Sequence, residues 1–389
     1  MEFRDLNGYY DELVSLTRHI HKNPEPSFHE TETTNYICRY LDKFNIDYKR
    51  LPNTGLIAQI DTGVPGKCVA FRADIDALKI EEDCSDGRTY GSVNKGVMHA
   101  CGHDSHTAIL MIAARYVKEH ISQFKGKIVM IFQPAEELPP GGAIDILNGH
   151  FLDDLGIDEI YALHCDPTVP LGKILIVKGV LMAAVDNFEI EVIGKGGHAA
   201  SPQKTIDAIA MAAHIVTQIN TIRSRNTKPT EPALISIGSI CGGNNFNVVA
   251  ERVTIGGTVR TFSEDTRTFI EDRIKSIVAH TTGMFGGTFK INYLKGYPTV
   301  KNDLEAIEKV ERVAVGLLGR ENCLERKEPD MGGDDFAYYL QGIKGAMFYY
   351  GTNPTGEAIP PLHNCRFDLD EKAMLTGVEM LLGLVKEQD

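Results

Sequence analysis

The stretch "KIVMIFQ" (Lys127–Gln133) constrains the fold most. Its five central residues are all apolar, so a strand formed here is greasy on both faces and needs cover on both. Such strands belong to parallel sheets enclosed by helices. Neighbouring segments fit that frame. "GLIAQIDTG", "KCVAFRADID" and "EIYALHC" read as further apolar strands. "DSHTAILMIAARYVKEHI" reads as a helix, with Ile109, Leu110, Ile112, Ala113 and Val117 at helical spacing. Strands alternating with helices predict a mainly parallel α/β sheet.

The pattern changes near Val185. From there the order is strand "DNFEIEVIG", helix "TIDAIAMAAHIVTQINTI", strands "ALISIGSIC" and "VAERVTIGGTVRTF", helix "DTRTFIEDRIKSIVAHTT" and strand "TFKINYL". That β-α-β-β-α-β order is the ferredoxin-like unit. The segments that follow, "LEAIEKVERVAVGLLG", "DDFAYYLQ", "AMFYYG" and a helix from Asp370, return to the first style. A chain of 389 residues is too long for one core. The sequence therefore predicts an α/β domain, 1–182 and 295–389, carrying an inserted ferredoxin-like domain, 183–294. Within the insert, Gly194-x-Gly196-x-x-Ala199 imitates a dinucleotide fingerprint, but the helix "AAHIVTQINTI" stands where a second strand ending in an acid is required.

Other classes are excluded by simpler features. A net charge of −13 opposes nucleic-acid binding. No apolar run reaches the ~18 residues of a membrane span. The N-terminal "MEFRDLNGYYDELVSLTRHI" reads as a helix with Leu13, Leu16 and Ile20 on one face, not as a signal peptide. A cytoplasmic protein is expected, with eight scattered cysteines as reduced thiols and no CxxC pair.

Candidate chemistry gathers at the ends of the first domain's strands. "MHACGHDSHTA" places Cys101 and His103 on a loop before a helix that starts at Asp104, where side chains at i and i+2 can converge and the helix N-terminus favours a thiolate. "QPAEELPPGG" sets Glu136 and Glu137 directly after the doubly buried strand, at the end where α/β sheets bind ligands. One of two adjacent carboxylates can ligate a metal while the other faces a substrate. "YALHCDP" adds His164 at a strand end, and "PLHNCRFDLDE" adds His363 from late in the chain. Taken singly, each is an ordinary loop or core residue. Together they supply enough donors for two first-row divalent ions with open positions. In "FRADID", Asp76 is expected to orient a ligand histidine from behind.

Six motifs in order, "RADIDALKI", "MHACGHDSHTA", "QPAEE", "GKGGHAASP", "GGTVRTF" and "LHNCRFDLDE", resemble the di-metal aminoacylase/carboxypeptidase family. The likeness is to the branch of hippurate hydrolases, aminoacylases and indole-acetyl-amino-acid hydrolases. It implies a metal-dependent amidohydrolase acting on N-acyl amino acids, with two divalent ions per chain (zinc, manganese, cobalt or nickel). It implies Cys101, His103, Glu137, His164 and His363 as ligands, Cys101 bridging, and Glu136 as general base. It also implies that the insert is a lid that pairs chains into a homodimer or a dimer-based tetramer. His198 of the lid would meet the oxyanion, and Arg260 with Asn247 would hold a substrate carboxylate. Other branches carry a ligand histidine where Asp74 stands, and here His103 replaces it. The chain departs from the family's usual residues at Cys165, Cys365 and Gln203, beside ligands or in the lid motif, which alters the pocket wall. "MGGDDFAYY" resembles a family loop with a supporting role. A di- or tripeptidase, a non-catalytic metal or amino-acid binding protein, and a Cys101 nucleophile are the competing readings. Retention of Glu136 opposes the binding protein, and the remaining donors oppose the nucleophile.

Overall fold

The computed structural model describes residues 3, 5–354, 356 and 358–387. The chain forms two compact units, Met1–Leu181 with Lys301–Pro329 and Asp334–Asp389, and Met182–Val300 with Asp330–Gly333. The sequence draws the insert at 183–294.

Lys127–Gln133 lies inside an eight-stranded sheet of the first unit. The strand order is Asp47–Arg50, Leu56–Asp61, Lys127–Gln133, Cys68–Asp74, Glu159–Pro170, Gly345–Asn353, Ile174–Ile176, Cys323–Glu325. The four strands from Lys127–Gln133 to Gly345–Asn353 run parallel to one another. Leu56–Asp61 and Ile174–Ile176 flank them antiparallel. Cys68–Asp74 is buried along its whole length, as a strand covered on both faces must be. Helices Tyr10–Lys22, His103–Glu119, Leu304–Leu318 and Ala373–Lys386 contribute Leu13, Ile112, Val310 and Leu381 to the same core. His103–Glu119 is buried almost all round, so its apolar stripe is unusually broad.

The second unit is ferredoxin-like. Ala233–Gly242, Arg252–Thr261, Ala184–Ile193 and Thr288–Lys295 form an antiparallel sheet in that spatial order. Helices Ala208–Arg225 and Glu264–Phe285 cover one face through Met211, Ile215, Ile219, Ile270 and Ile274. Asp207 and Ser263 cap their N-termini with side-chain oxygens.

Three local expectations change. The helix begins at His103, not Asp104, because Gly102 takes the preceding left-handed position (φ 81°) and serves as N-cap. The strand bearing His164 continues to Pro170, because Gly345–Asn353 pairs alongside it past His164. "DDFAYYLQ" forms a 3-10 helix at Asp335–Gln341, with Asp334 accepting from the Phe336 amide. No described helix is long and apolar enough to cross a membrane, and all eight cysteines are free thiols.

Candidate metal centre and active site

The ends of the central strands bring together the donors from four separate stretches of chain. Gly102 at the helix start lets Cys101 and His103 face the same region. The loop bearing His363 docks beside them through its amide, which donates to the Ala100 carbonyl at 2.7 Å. His363 itself sits in left-handed backbone (φ 62°). The Cys101 sulfur lies 3.5 Å from His164 Nε2 and 3.3 Å from His363 Nε2. Glu137 Oε1 is 3.3 Å from His363 Nε2 and 3.8 Å from His103 Nε2. Donor atoms of Cys101, His103 and His164 lie within 4.8 Å of one another, as do those of Cys101, Glu137 and His363. Cys101 belongs to both groups. Glu136 Oε2 stands 3.9 Å from His103 Nε2, on the same side as Glu137.

Hydrogen bonds fix which nitrogen His164 and His103 offer. His164 Nδ1 donates to the Cys165 carbonyl at 2.8 Å, leaving Nε2 with its lone pair towards Cys101. His103 Nδ1 donates to the Asp76 carbonyl at 3.0 Å. Asp76 does more than back a histidine. Its two carboxylate oxygens accept from the amides of Glu136 and Glu137, each at 3.0 Å, and the Ser27 hydroxyl donates to it at 2.7 Å. Asp74 accepts from His106 Nδ1 at 2.7 Å and from Arg72. His106 Nε2 in turn accepts the Cys165 amide at 3.0 Å, and burial holds this imidazole down at about 4, so it is neutral. Arg72, buried, also reaches Asp335 at 2.7 Å and Asp334 at 3.2 Å. Burial, with the carboxylates of Asp334, Glu137 and Asp335, pushes Glu136 well above the usual carboxylate range.

Two of the three residues singled out as unusual, Cys165 and Cys365, separate here. Cys165 is buried, and its thiol donates to the Cys101 carbonyl at 3.3 Å. Cys365 is half-buried against Asn364.

Three other candidates sit in the second unit. His198 lies on a short strand, Gly197–His198, paired with Val248–Val249. Its Nδ1 accepts from the Ala200 amide at 3.0 Å. Asn247 is held at the same ladder, its carbonyl accepting from the Ala199 amide. Arg260 is half-buried between the Thr258 hydroxyl and the Val259 carbonyl, and among the described residues no ion pair engages it.

Sequence reasoning missed Glu30, Arg72 and His106 as supports. His106 was visible in "CGHDSH", one helical turn after His103. Arg72 stands in "RADIDALKI" but its reach to Asp334 and Asp335 has no local signal, and neither has the bond from the Ala135 amide to Glu30.

The donor set fits divalent cations. His103 Nε2 is buried without a hydrogen-bond partner, and Glu137 Oε1 has no well-aligned one beyond its 3.3 Å approach to His363 Nε2, a costly arrangement unless a cation completes it. Imidazole, thiolate and carboxylate together suit a first-row transition ion.

Comparisons with known proteins identify the family. Residues 70–387 match the model of "Peptidase family M20/M25/M40". The chain is 39% identical to an N-acetyl-L-cysteine deacetylase of Bacillus subtilis, covering 98% of this chain and 89% of that protein. It is 33% identical to an Arabidopsis thaliana IAA-amino acid hydrolase ILR1-like 4, over 96% of this chain and 85% of that one. A solved dinuclear metal-binding M20 peptidase of Bacillus subtilis superposes with a TM-score of 0.83 at 32% identity, covering 98% of both chains.

Proposed function

The chain belongs to peptidase family M20/M25/M40 and is a hydrolase of carbon–nitrogen amide bonds, and on that premise we propose how its own residues divide the work on N-acyl amino acids. The observation that carries the reading is the pair of donor groups sharing Cys101, with Glu136 at their edge. Cys101, His103, Glu137, His164 and His363 would hold two divalent ions, zinc, manganese, cobalt or nickel, Cys101 belonging to both donor groups. When bound, such ions polarise an amide carbonyl and acidify a water. Glu136 takes the proton from the attacking water and delivers it to the leaving nitrogen. Asp76 fixes the backbone of both glutamates, and the Asp74–His106 pair lies against His103 and His164, with Asp74 Oδ2 3.7 Å from His103 Nε2 and the His106 ring beside that of His164.

The inserted unit acts as a lid in this reading. Because His198 Nδ1 accepts a backbone amide, the neutral ring carries its proton on Nε2, a donor suited to a developing oxyanion. Arg260, which no ion pair engages among the described residues, and Asn247 hold the carboxylate of the amino-acid half. The outer edge of Ala233–Gly242, which carries exposed Ile240, suits pairing of two lids into a homodimer or dimer-based tetramer. A cytoplasmic setting matches the free thiols.

The test is a panel of N-acetyl, N-benzoyl and longer N-acyl amino acids beside dipeptides, with elemental analysis of the same preparation. Faster turnover of N-acyl amino acids, with metal approaching two ions per chain, is expected. Faster turnover of dipeptides would move the assignment to a peptidase, and active enzyme holding one ion would end the two-ion reading.

A further inference from the structure

Glu136 and Glu137 are neighbours in sequence, yet they are assigned different tasks. What separates them is the backbone just before them. Ala135 sits in left-handed conformation (φ 57°), which an L-residue with a Cβ adopts only under constraint. The constraint is visible. Three consecutive amides, of Ala135, Glu136 and Glu137, each donate to a buried carboxylate. The last two share Asp76. The first donates to Glu30 Oε1 at 2.8 Å. Glu30 is completely buried. Its Oε1 also accepts the Phe28 amide at 3.0 Å, and its Oε2 accepts the Thr54 hydroxyl at 2.6 Å. Both oxygens are thus engaged, and the carboxylate is a fixed anchor, not a mobile acid.

We infer that Glu30 is a positioning residue for amide hydrolysis, clamping the Ala135 amide so that the left-handed turn aims the Glu136 carboxylate. This rests on the reading of Glu136 as general base. Asp76 alone cannot replace it. Asp76 fixes the amides after the turn, whereas the peptide entering Ala135 is held by Glu30. A base displaced by a small distance loses rate without losing substrate, because ground-state contacts lie elsewhere.

Variants separate this role from simple stability. Glu30→Gln keeps the shape, since the amide oxygen accepts both backbone N–H groups and the NH2 donates to the Thr54 hydroxyl. Its kcat should stay within about threefold of the parent. Glu30→Asp falls one methylene short of Ala135. It should lower kcat on the order of 10²-fold with KM and metal content near parental values. Ala135→Gly in the Glu30→Asp background should restore much of that loss, because glycine takes the left-handed turn unaided. In the Glu136→Gln background, Glu30→Asp should cost nothing further. A lower melting temperature with parental kcat per metal-loaded site, or a full additional loss on top of Glu136→Gln, overturns the inference. If Glu136→Gln is inactive while Glu30→Asp is as fast as the parent, only the inference about Glu30 falls. If Glu136→Gln keeps the parental rate, the base assignment itself fails and takes the inference with it.

Discussion

Gly102 stands between two metal-capable residues, and the structure specifies what an added methyl group there would meet. Its φ is 81°, and an ideal Cβ would lie 2.4 Å from the Cys165 sulfur. The next neighbours, Ser105 Oγ at 3.5 Å and the Cys165 Cβ at 3.6 Å, are at ordinary contact distance. Gly102→Ala therefore carries two separable costs. Left-handed backbone costs an alanine about 1–2 kcal/mol. Overpacking a buried site costs about 1–3 kcal/mol more. The sum is roughly 2–5 kcal/mol. Only the second part depends on the Cys165 sulfur. In a Cys165→Ala background the nearest side-chain atoms are those at 3.5 and 3.6 Å, so Gly102→Ala should cost only the backbone part. A double-mutant cycle should thus give a coupling of about 1–3 kcal/mol. The assay is urea unfolding followed by far-ultraviolet circular dichroism, on four proteins held metal-free by chelator so that bound ions do not add stability. Equal cost of Gly102→Ala in the two backgrounds would refute the steric argument. No cost at all would refute the backbone argument as well.

Other outcomes follow from the same site. Glu136→Gln should keep its metals yet lose roughly 10²–10⁴-fold in kcat, while Glu137→Gln should lose metal and recover partly when metal is added back; metal content and rate across a metal titration decide, and the reverse pattern would exchange the two roles. Chelation should lower the melting temperature of the first unit reversibly, since buried His103 Nε2 then lacks a hydrogen-bond partner; an unchanged transition would mean that the metals stabilise nothing. Burial, outweighing the Thr54 hydrogen bond, raises the Glu30 carboxyl to about 7. A raised acid contributes stability that is full below its unfolded value and is lost as pH climbs through its folded value. Glu30→Gln should therefore gain on the parent by about 3 kcal/mol between about pH 4 and pH 8, and a difference that stays flat would show that Glu30 does not titrate there. Mixing His198→Ala chains with Glu136→Gln chains should restore one working site per dimer if His198 serves a partner's centre; inactive mixed dimers would confine it to its own chain.

The strands that fix the architecture were legible because burial on both faces leaves an unbroken apolar run, as in Ile128–Phe132. The inserted unit was legible from the order of its periodicities. The edge strand Asp47–Arg50 escaped because "DYKR" is exposed and carries no burial pattern. The site divides in the same way. Cys101, His103, Glu136 and Glu137 are conspicuous because metal-capable residues cluster locally. Glu30 and Arg72 are not, because the contacts that tie them to the site, Glu30 to the Ala135 amide 105 residues away and Arg72 to Asp335, lie outside any sequence window. The left-handed backbone at Ala135 was equally hidden, since nothing in "QPAEE" asks for glycine there.

The insert also bears on how the sheet assembles. Glu159–Pro170 must find Gly345–Asn353 although the whole second unit lies between them in sequence. The entropy of closing a flexible loop grows with its length, and long-range pairing slows folding accordingly. Here the first and last strands of the insert, Ala184–Ile193 and Thr288–Lys295, are direct neighbours, and the Val185 amide donates to the Tyr297 carbonyl at 2.9 Å. Once folded, the insert returns the chain close to where it left. The later strand then searches for its partner across a short effective tether in place of a loop on the order of a hundred residues. Prior folding of the insert thereby shortens the search that closes the central sheet, and a nascent chain halted before Thr288–Lys295 lacks both that closure and the strand and histidine still to come.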